Sequence, residues 1–306
     1  MTSIMPAAVT AGIALGFGAA LSQSVSYFFT RLYVLRSHQG VLRLMILGHL
    51  LMAGFSWMCL AIFWPSNMPP LNRYATPLLG CSAFYLLGQA CFFFALRHAD
   101  ASRAAPLLGL KIVVLAALGA MFLSQPLMPL QWLAVALGAA AAVVLSYSGE
   151  RLPARAMLGI ALACVFFSLS DLSIVNLIAA IEPSAGRFYG SCLSAALTYA
   201  VCGVLCLPLI RLAGTGSLKD MLYAVPFAAS WLAAMGLLFG CFAFIGPLFG
   251  NIIQSIRGLL TIAIGARLAG MGMHHLERKI SNAVLIQRAS AAALMMLAIA
   301  LFLLGK

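Results

Sequence analysis

Ten uninterrupted apolar runs of about 20 residues divide this chain, and they decide what it can fold into. They cover roughly 7–29, 41–63, 76–96, 103–123, 130–147, 156–179, 187–210, 222–245, 248–269 and 283–304. Each is about the length of helix that crosses a hydrocarbon core of about 30 Å. The runs are continuously apolar rather than alternating, which excludes a closed β-barrel. Charge is correspondingly scarce. Only 8% of the 306 residues are charged and 64% are hydrophobic, against about 25% charged in an ordinary soluble domain. A soluble enzyme and a disordered chain are both excluded. The sequence predicts an all-α membrane protein with ten transmembrane helices.

The formal net charge of +12 does not indicate nucleic-acid binding. The basic residues stand at the ends of apolar runs and are not clustered with aromatics. The eight cysteines lie inside apolar runs and form no CxxC pair, so they read as small buried hydrophobes. No Lys or Arg precedes Arg31, so the first helix is expected to stay in the protein rather than be cleaved as a signal peptide. The connections are short. Trp64–Pro70, Ser124–Pro126 and Gly214–Ser217 have turn composition. His274, His275 and Glu277, beside Arg278 and Lys279, read as a solvated loop rather than a metal site. No cofactor is expected, and no nucleotide-binding GxxxxGK[ST] motif is present.

The two halves of the chain look related. Gly12–Ile13–Ala14–Leu15 recurs as Gly159–Ile160–Ala161–Leu162. A shift of 146–147 residues lays Gly119–Ala120 on Gly265–Ala266, Tyr85 on Trp231 and Lys111 on Arg257. The basic match weighs most, because intramembrane charges are rare. Five helices is an odd number, so the second half re-enters from the opposite side. The expected architecture is two inverted five-helix repeats, 1–148 and 149–306, a common plan of secondary transporters.

The stretch Ala95–Leu96–Arg97–His98–Ala99–Asp100–Ala101–Ser102–Arg103–Ala104–Ala105–Pro106–Leu107–Leu108–Gly109–Leu110–Lys111, with its counterpart Asn251–Leu259, resembles the ten-helix EamA-like branch of the drug/metabolite transporter superfamily. The family often carries a Gly-Glu pair after its fourth helix, where this chain has Ser124–Gln125. The resemblance implies export or exchange of small solutes by alternating access, in a multi-pass protein of the bacterial inner (plasma) membrane. It also implies that helices 5 and 10 lie outside the substrate cavity, and both are almost wholly apolar.

Three charges fall near the middle of spans: Lys111, Asp171 and Arg257. Each costs roughly 2.5–3.5 kcal/mol on insertion scales, or about 8–10 kcal/mol together. Lys111 and Arg257 are read as a cationic pair that binds an anionic group, Arg in a bidentate fork and Lys as a point charge. Asp171 is read as an ion-pair or coupling residue. With straight helices at 1.5 Å per residue, its depth differs from that of Arg257 by about 3 Å and from that of Lys111 by about 7–8 Å. The expected pair is therefore Asp171–Arg257, ahead of Asp171 as a proton carrier.

Neutral polar residues gather at the same level: Ser24 with Gln23 on helix 1, Tyr85 and Gln89 on helix 3, Trp231 on helix 8, and Asn251 and Gln254 on helix 9. They complete the expected substrate site, although helix–helix hydrogen bonding accounts for part of such a set. His49 stands isolated and reads as a packing histidine ahead of a proton relay. The favoured function is a secondary transporter of a small anionic or zwitterionic metabolite, with a proton or counter-substrate as the second passenger, acting as a monomer or weak dimer. The alternatives are a drug-cation exporter of the same superfamily and, behind it, an intramembrane enzyme. Twelve basic residues sit on the side of connections 1–2, 3–4, 5–6, 7–8 and 9–10, against Arg73, Arg187 and Lys306 on the other. The positive-inside rule then puts both termini outside, whereas family habit puts them in the cytoplasm.

Overall fold

The computed structural model describes residues 4–37, 40–99, 104, 107–122, 127–147, 152–213, 218–270 and 282–305. The turns at Ser124–Pro126 and Gly214–Ser217, the loop from Met273 to Lys279, and residues 100–103 and 105–106 lie outside this set. Every regular element among the described residues is helical. That is the expected outcome for long apolar runs, because only a helix satisfies each backbone N–H and C=O within its own segment in lipid.

The helices are α1 (Ile4–Ser37), α2 (Val41–Phe63), α3 (Leu71–Leu96), α4 (Lys111–Phe122), α5 (Pro129–Ser146), α6 (Ala154–Ala185), α7 (Arg187–Cys206), α8 (Leu218–Ile245), α9 (Pro247–Gln254), α10 (Arg257–Gly270) and α11 (Asn282–Leu304). A 3₁₀ turn, Leu108–Leu110, leads into α4. Seven of the helices are long and apolar enough to cross a membrane by themselves. The chain is an integral, multi-pass membrane protein.

Two departures from the ten-run reading matter for function. The ninth run is not one helix: Ser255 and Ile256 interrupt it between α9 and α10. The fourth run, expected from residue 103, becomes regular α-helix only at Lys111. In both places a cation occupies the first position of the helix that follows.

The longest packing interfaces are α1 against α8 and α3 against α6. Then come α5 against α11, and α2 against α7. The α2–α7 crossing is backbone-close. A Cβ on Gly203 would stand 2.0 Å from the Ala53 Cβ and 3.2 Å from the His49 carbonyl oxygen. Helices α6 and α8 each end on one glycine, Gly186 and Gly246, at φ of +78° and +80°. Only glycine adopts this conformation readily, and it lets α7 and α9 begin at the next residue. Pro247 opens α9, where its missing N–H costs nothing.

Candidate functional site

The polar residues of the core fall into two groups. The first is a chain of charged and amide side chains carried by α1, α4, α6, α9 and α10. Lys111 Nζ donates to Asp171 Oδ2 at 3.1 Å, and Asn251 Nδ2 donates to the same oxygen at 2.7 Å. One helical turn along α9, Gln254 Nε2 donates to Gln23 Oε1 at 2.6 Å. Arg257 Nη1 donates to that same Gln23 oxygen at 3.0 Å. Asn251 and Gln254 are three residues apart, so they share a face of α9. This face ties the Lys111–Asp171 end of the chain to the Gln23–Arg257 end.

Asp171 therefore pairs with Lys111 and not with Arg257, which corrects the expectation from depth. The depth argument treated spans 4 and 9 as straight α-helices. The 3₁₀ turn before Lys111 rises about 2.0 Å per residue rather than 1.5 Å, and Ser255–Ile256 interrupts span 9 just before Arg257. The packing of α4 on α6 fixes the register instead: Ser168, whose hydroxyl donates to the Cys164 carbonyl at 2.8 Å, also brings Oγ to 3.2 Å from the Lys111 carbonyl oxygen. Lys111 then lies about one turn from Asp171, a gap its four-carbon stem spans.

This pairing decides the charge balance. The described carboxylates are Asp171, Glu182 and Asp220, and each is paired elsewhere. Asp171 holds Lys111, Glu182 holds Arg187, and Asp220 holds Arg43. Among the described residues Arg257 is left with a neutral partner, Gln23, and no carboxylate. The network thus carries one uncompensated positive charge. The Asn251 Oδ1 and Gln254 Oε1 atoms are buried without a hydrogen-bond donor.

Ser24, expected at the site, has its hydroxyl 2.8 Å from the Ala20 carbonyl oxygen of its own helix and 3.0 Å from the Arg257 carbonyl oxygen, so α1 packs against the backbone that carries the cation. Several neutral hydroxyls at this level are plain packing. Ser26, Ser173, Ser230, Ser255 and Thr261 return to carbonyls three or four residues back on their own helices.

The second group is aromatic and includes the other expected residues, Tyr85, Gln89 and Trp231. Gln89 Nε2 donates to Tyr85 Oη at 3.0 Å, and Tyr85 Oη is 3.2 Å from His49 Nε2. Trp231 Nε1 donates to Tyr199 Oη at 3.1 Å. The Tyr85 and Tyr199 rings meet edge to face at 5.8 Å, and Tyr27 meets Trp231 at 6.2 Å. Tyr85 also reaches Phe167 at 6.2 Å, four residues before Asp171 on α6. Tyr199 and His49 were absent from the expected site. Tyr199 stands alone in an apolar run, and His49 has no charged neighbour in sequence. Only the α2–α7 crossing brings them to Tyr85. Among the described residues no group of three His, Cys, Asp or Glu could hold a metal ion.

Residues 10–147 match the model of the EamA-like transporter family, a match consistent with the drug/metabolite transporter superfamily. That is a family of transporters and not of enzymes. No functionally curated protein matches the sequence. One crystal structure, whose description names no function, is 14% identical, with 95% of this chain and 96% of that chain covered, at a TM-score of 0.64. The likeness is one of fold.

Proposed function

We propose that the protein is a secondary-active transporter of a small anionic or zwitterionic metabolite, and that Arg257 anchors the negative group. One observation carries the reading: Arg257 is the network's uncompensated cation, held ready by the Gln23 carbonyl oxygen. An ionised side chain in an apolar core is costly unless it meets an opposite charge. Here that charge is the substrate's. Guanidinium geometry suits a carboxylate or phosphate in two parallel hydrogen bonds. Lys111, neutralised by Asp171, serves as a second cation only when substrate draws it away.

The reading includes alternating access by two inverted repeats, 1–148 and 149–306, in the bacterial inner membrane. Exchanging the halves would turn the α1–α8 interface into the α6–α3 interface, and these are the two most extensive packings. The recurrent Gly12 and Gly159 lie in them, facing Ile245 and Ala95 respectively. Lys111 and Arg257 each open a helix after a break, and each has its carbonyl oxygen approached by a serine hydroxyl: Ser168 of α6 and Ser24 of α1. Substrate at this junction favours one fit of the halves over the other, which is what rocking requires. A drug-cation exporter wants an unpaired carboxylate in the cavity, and Asp171 is paired. Uptake by purified protein in liposomes tests the reading. Small carboxylates, phosphates and amino acids should include a transported species, and lipophilic cations should not. Transport of lipophilic cations alone would refute it.

A further inference from the structure

We infer that His49 is a proton-binding site, reached through Tyr85, that couples this transporter to the proton gradient. The inference rests on the transporter reading only for what the proton drives; the binding of the proton does not depend on it.

The hydrogen bonds fix the resting state of the ring. His49 Nδ1 is 2.7 Å from the Met45 carbonyl, which can only accept. Nδ1 therefore carries the proton, and Nε2 of the neutral ring accepts from Tyr85. Tyr85 Oη in turn accepts from Gln89. His49 is 3% exposed, whereas Tyr85 and Gln89 remain partly exposed. Tyr85 Oη links the partly exposed Gln89 to the buried nitrogen.

That arrangement lets the ring change charge without leaving an orphaned group. A hydronium ion gives a proton to Tyr85 Oη and leaves as water while the phenol's own proton passes to His49 Nε2. Two O–H bonds break, the hydronium's and the phenol's, one O–H and one N–H bond form, and the phenol ends neutral beside an imidazolium. Tyr85 Oη then accepts from both Nε2 and Gln89, filling two lone pairs, and its hydroxyl turns away. The cation is covered by the Tyr85 ring at 5.6 Å and by the Tyr199 ring, stacked at 26° and 6.3 Å.

The surroundings isolate this charge. The titratable groups facing His49 are Tyr85 on α3 and Tyr199, with Cys202 one turn on, on α7. All are neutral in the ordinary pH range. From α8 it is approached by Phe227, which packs on Gly48, and by Trp231 through Tyr199. The nearest ions on α2 and α8 are the mutually paired Arg43 and Asp220, about 9 Å away along α2. From α1, Tyr27 arrives only through Trp231. Asp171, the other buried acid–base group, is locked by Lys111 and Asn251. His49 is thus the remaining core group whose ordinary titration range is physiological. It sits where α2 and α7 touch backbone to backbone.

The test is a titration of the whole protein in lipid nanodiscs with ¹⁵N-labelled histidine, from pH 8 to about 4.5. The His49 signal is identified by its loss in His49→Gln. If that variant fails to fold, a chain with the other four histidines replaced by Gln, leaving His49 as the single labelled ring, is used instead. The expected result is a ring protonated on Nδ1 alone at pH 8 that converts to imidazolium within the titrated range. In Tyr85→Phe the same resting tautomer persists, held by Met45, but Nε2 exchanges its proton more slowly. A ring that stays neutral to pH 4.5 overturns the proposal. So does a Tyr85→Phe protein whose exchange is unchanged, because the relay would then play no part. If the ring titrates as expected while Arg257→Ala transports normally, the proton site stands and the anion reading falls.

Discussion

At the residue scale, one carboxylate shared by a lysine and an amide sets the properties of the site. Asp171→Asn removes the charge that holds Lys111 and leaves a cation in the core. It should lower stability by about 3–5 kcal/mol, read as an earlier thermal unfolding midpoint in detergent. Adding Lys111→Met to Asp171→Leu removes both charges and should restore most of that loss, because an apolar pair of similar volume packs there without desolvation cost. A double variant as unstable as Asp171→Asn would show that the pair is not the cause. Gln23 is the second informative residue. Its amide oxygen orients Arg257 without neutralising it. Gln23→Glu supplies a carboxylate in the same place and should satisfy the guanidinium from within. The expected outcome is a well-folded protein whose transport is lost, measured at matched expression. Retained transport would mean that Arg257 does not need its free charge.

At the element scale, the α2–α7 crossing makes the sharpest prediction. A methyl on Gly203 would overlap the Ala53 Cβ at 2.0 Å, and neither backbone can give way cheaply. Gly203→Ala should destabilise by about 1–3 kcal/mol, and Ala53→Gly in the same chain should recover it by vacating the space. Failure of the pair to compensate in a thermal melt would contradict this crossing. Helix existence was legible in the sequence, because a run of about 20 apolar residues has one solution in lipid. Helix interruptions were not. Nothing in Gln254–Ser255–Ile256–Arg257 breaks a helix by composition, since Ser and Ile are ordinary residues in a membrane span. The interruption lies beside the contact of α1 with the Arg257 carbonyl oxygen, 3.0 Å from Ser24 Oγ. The candidate site was legible to the same extent. Rare intramembrane charges marked Lys111, Asp171 and Arg257, but their pairing depended on a 3₁₀ turn and a serine contact that one-dimensional depth cannot contain. Gln23 and His49 were visible as polar residues in apolar runs. Their roles became readable only once α9 and α3 were packed beside them.

At the scale of the whole molecule, orientation and transport both follow from charge. The basic side holds Arg31, Arg36, Arg43, Arg97 and Arg155, among others, and the positive-inside rule puts that side in the cytoplasm. A fluorescent protein fused after Lys306 should then stay dark, and alkaline phosphatase at the same place should be active; a glowing fusion would reverse the assignment. The pair α5 and α11 lies mainly against itself, in keeping with a peripheral position, while the helices that carry Gln23, Lys111, Asp171, Gln254 and Arg257 converge on one network. The proposed function rests on Arg257, which among the described residues has a neutral partner, Gln23, and no carboxylate. The most direct measurement is therefore uptake of the transported anion or zwitterion into proteoliposomes by the wild type, Arg257→Ala and Arg257→Lys, with equal amounts of folded protein. The account predicts that Arg257→Ala loses transport and that Arg257→Lys restores little of it, because a point charge replaces a fork. Wild-type rates in Arg257→Ala would contradict it.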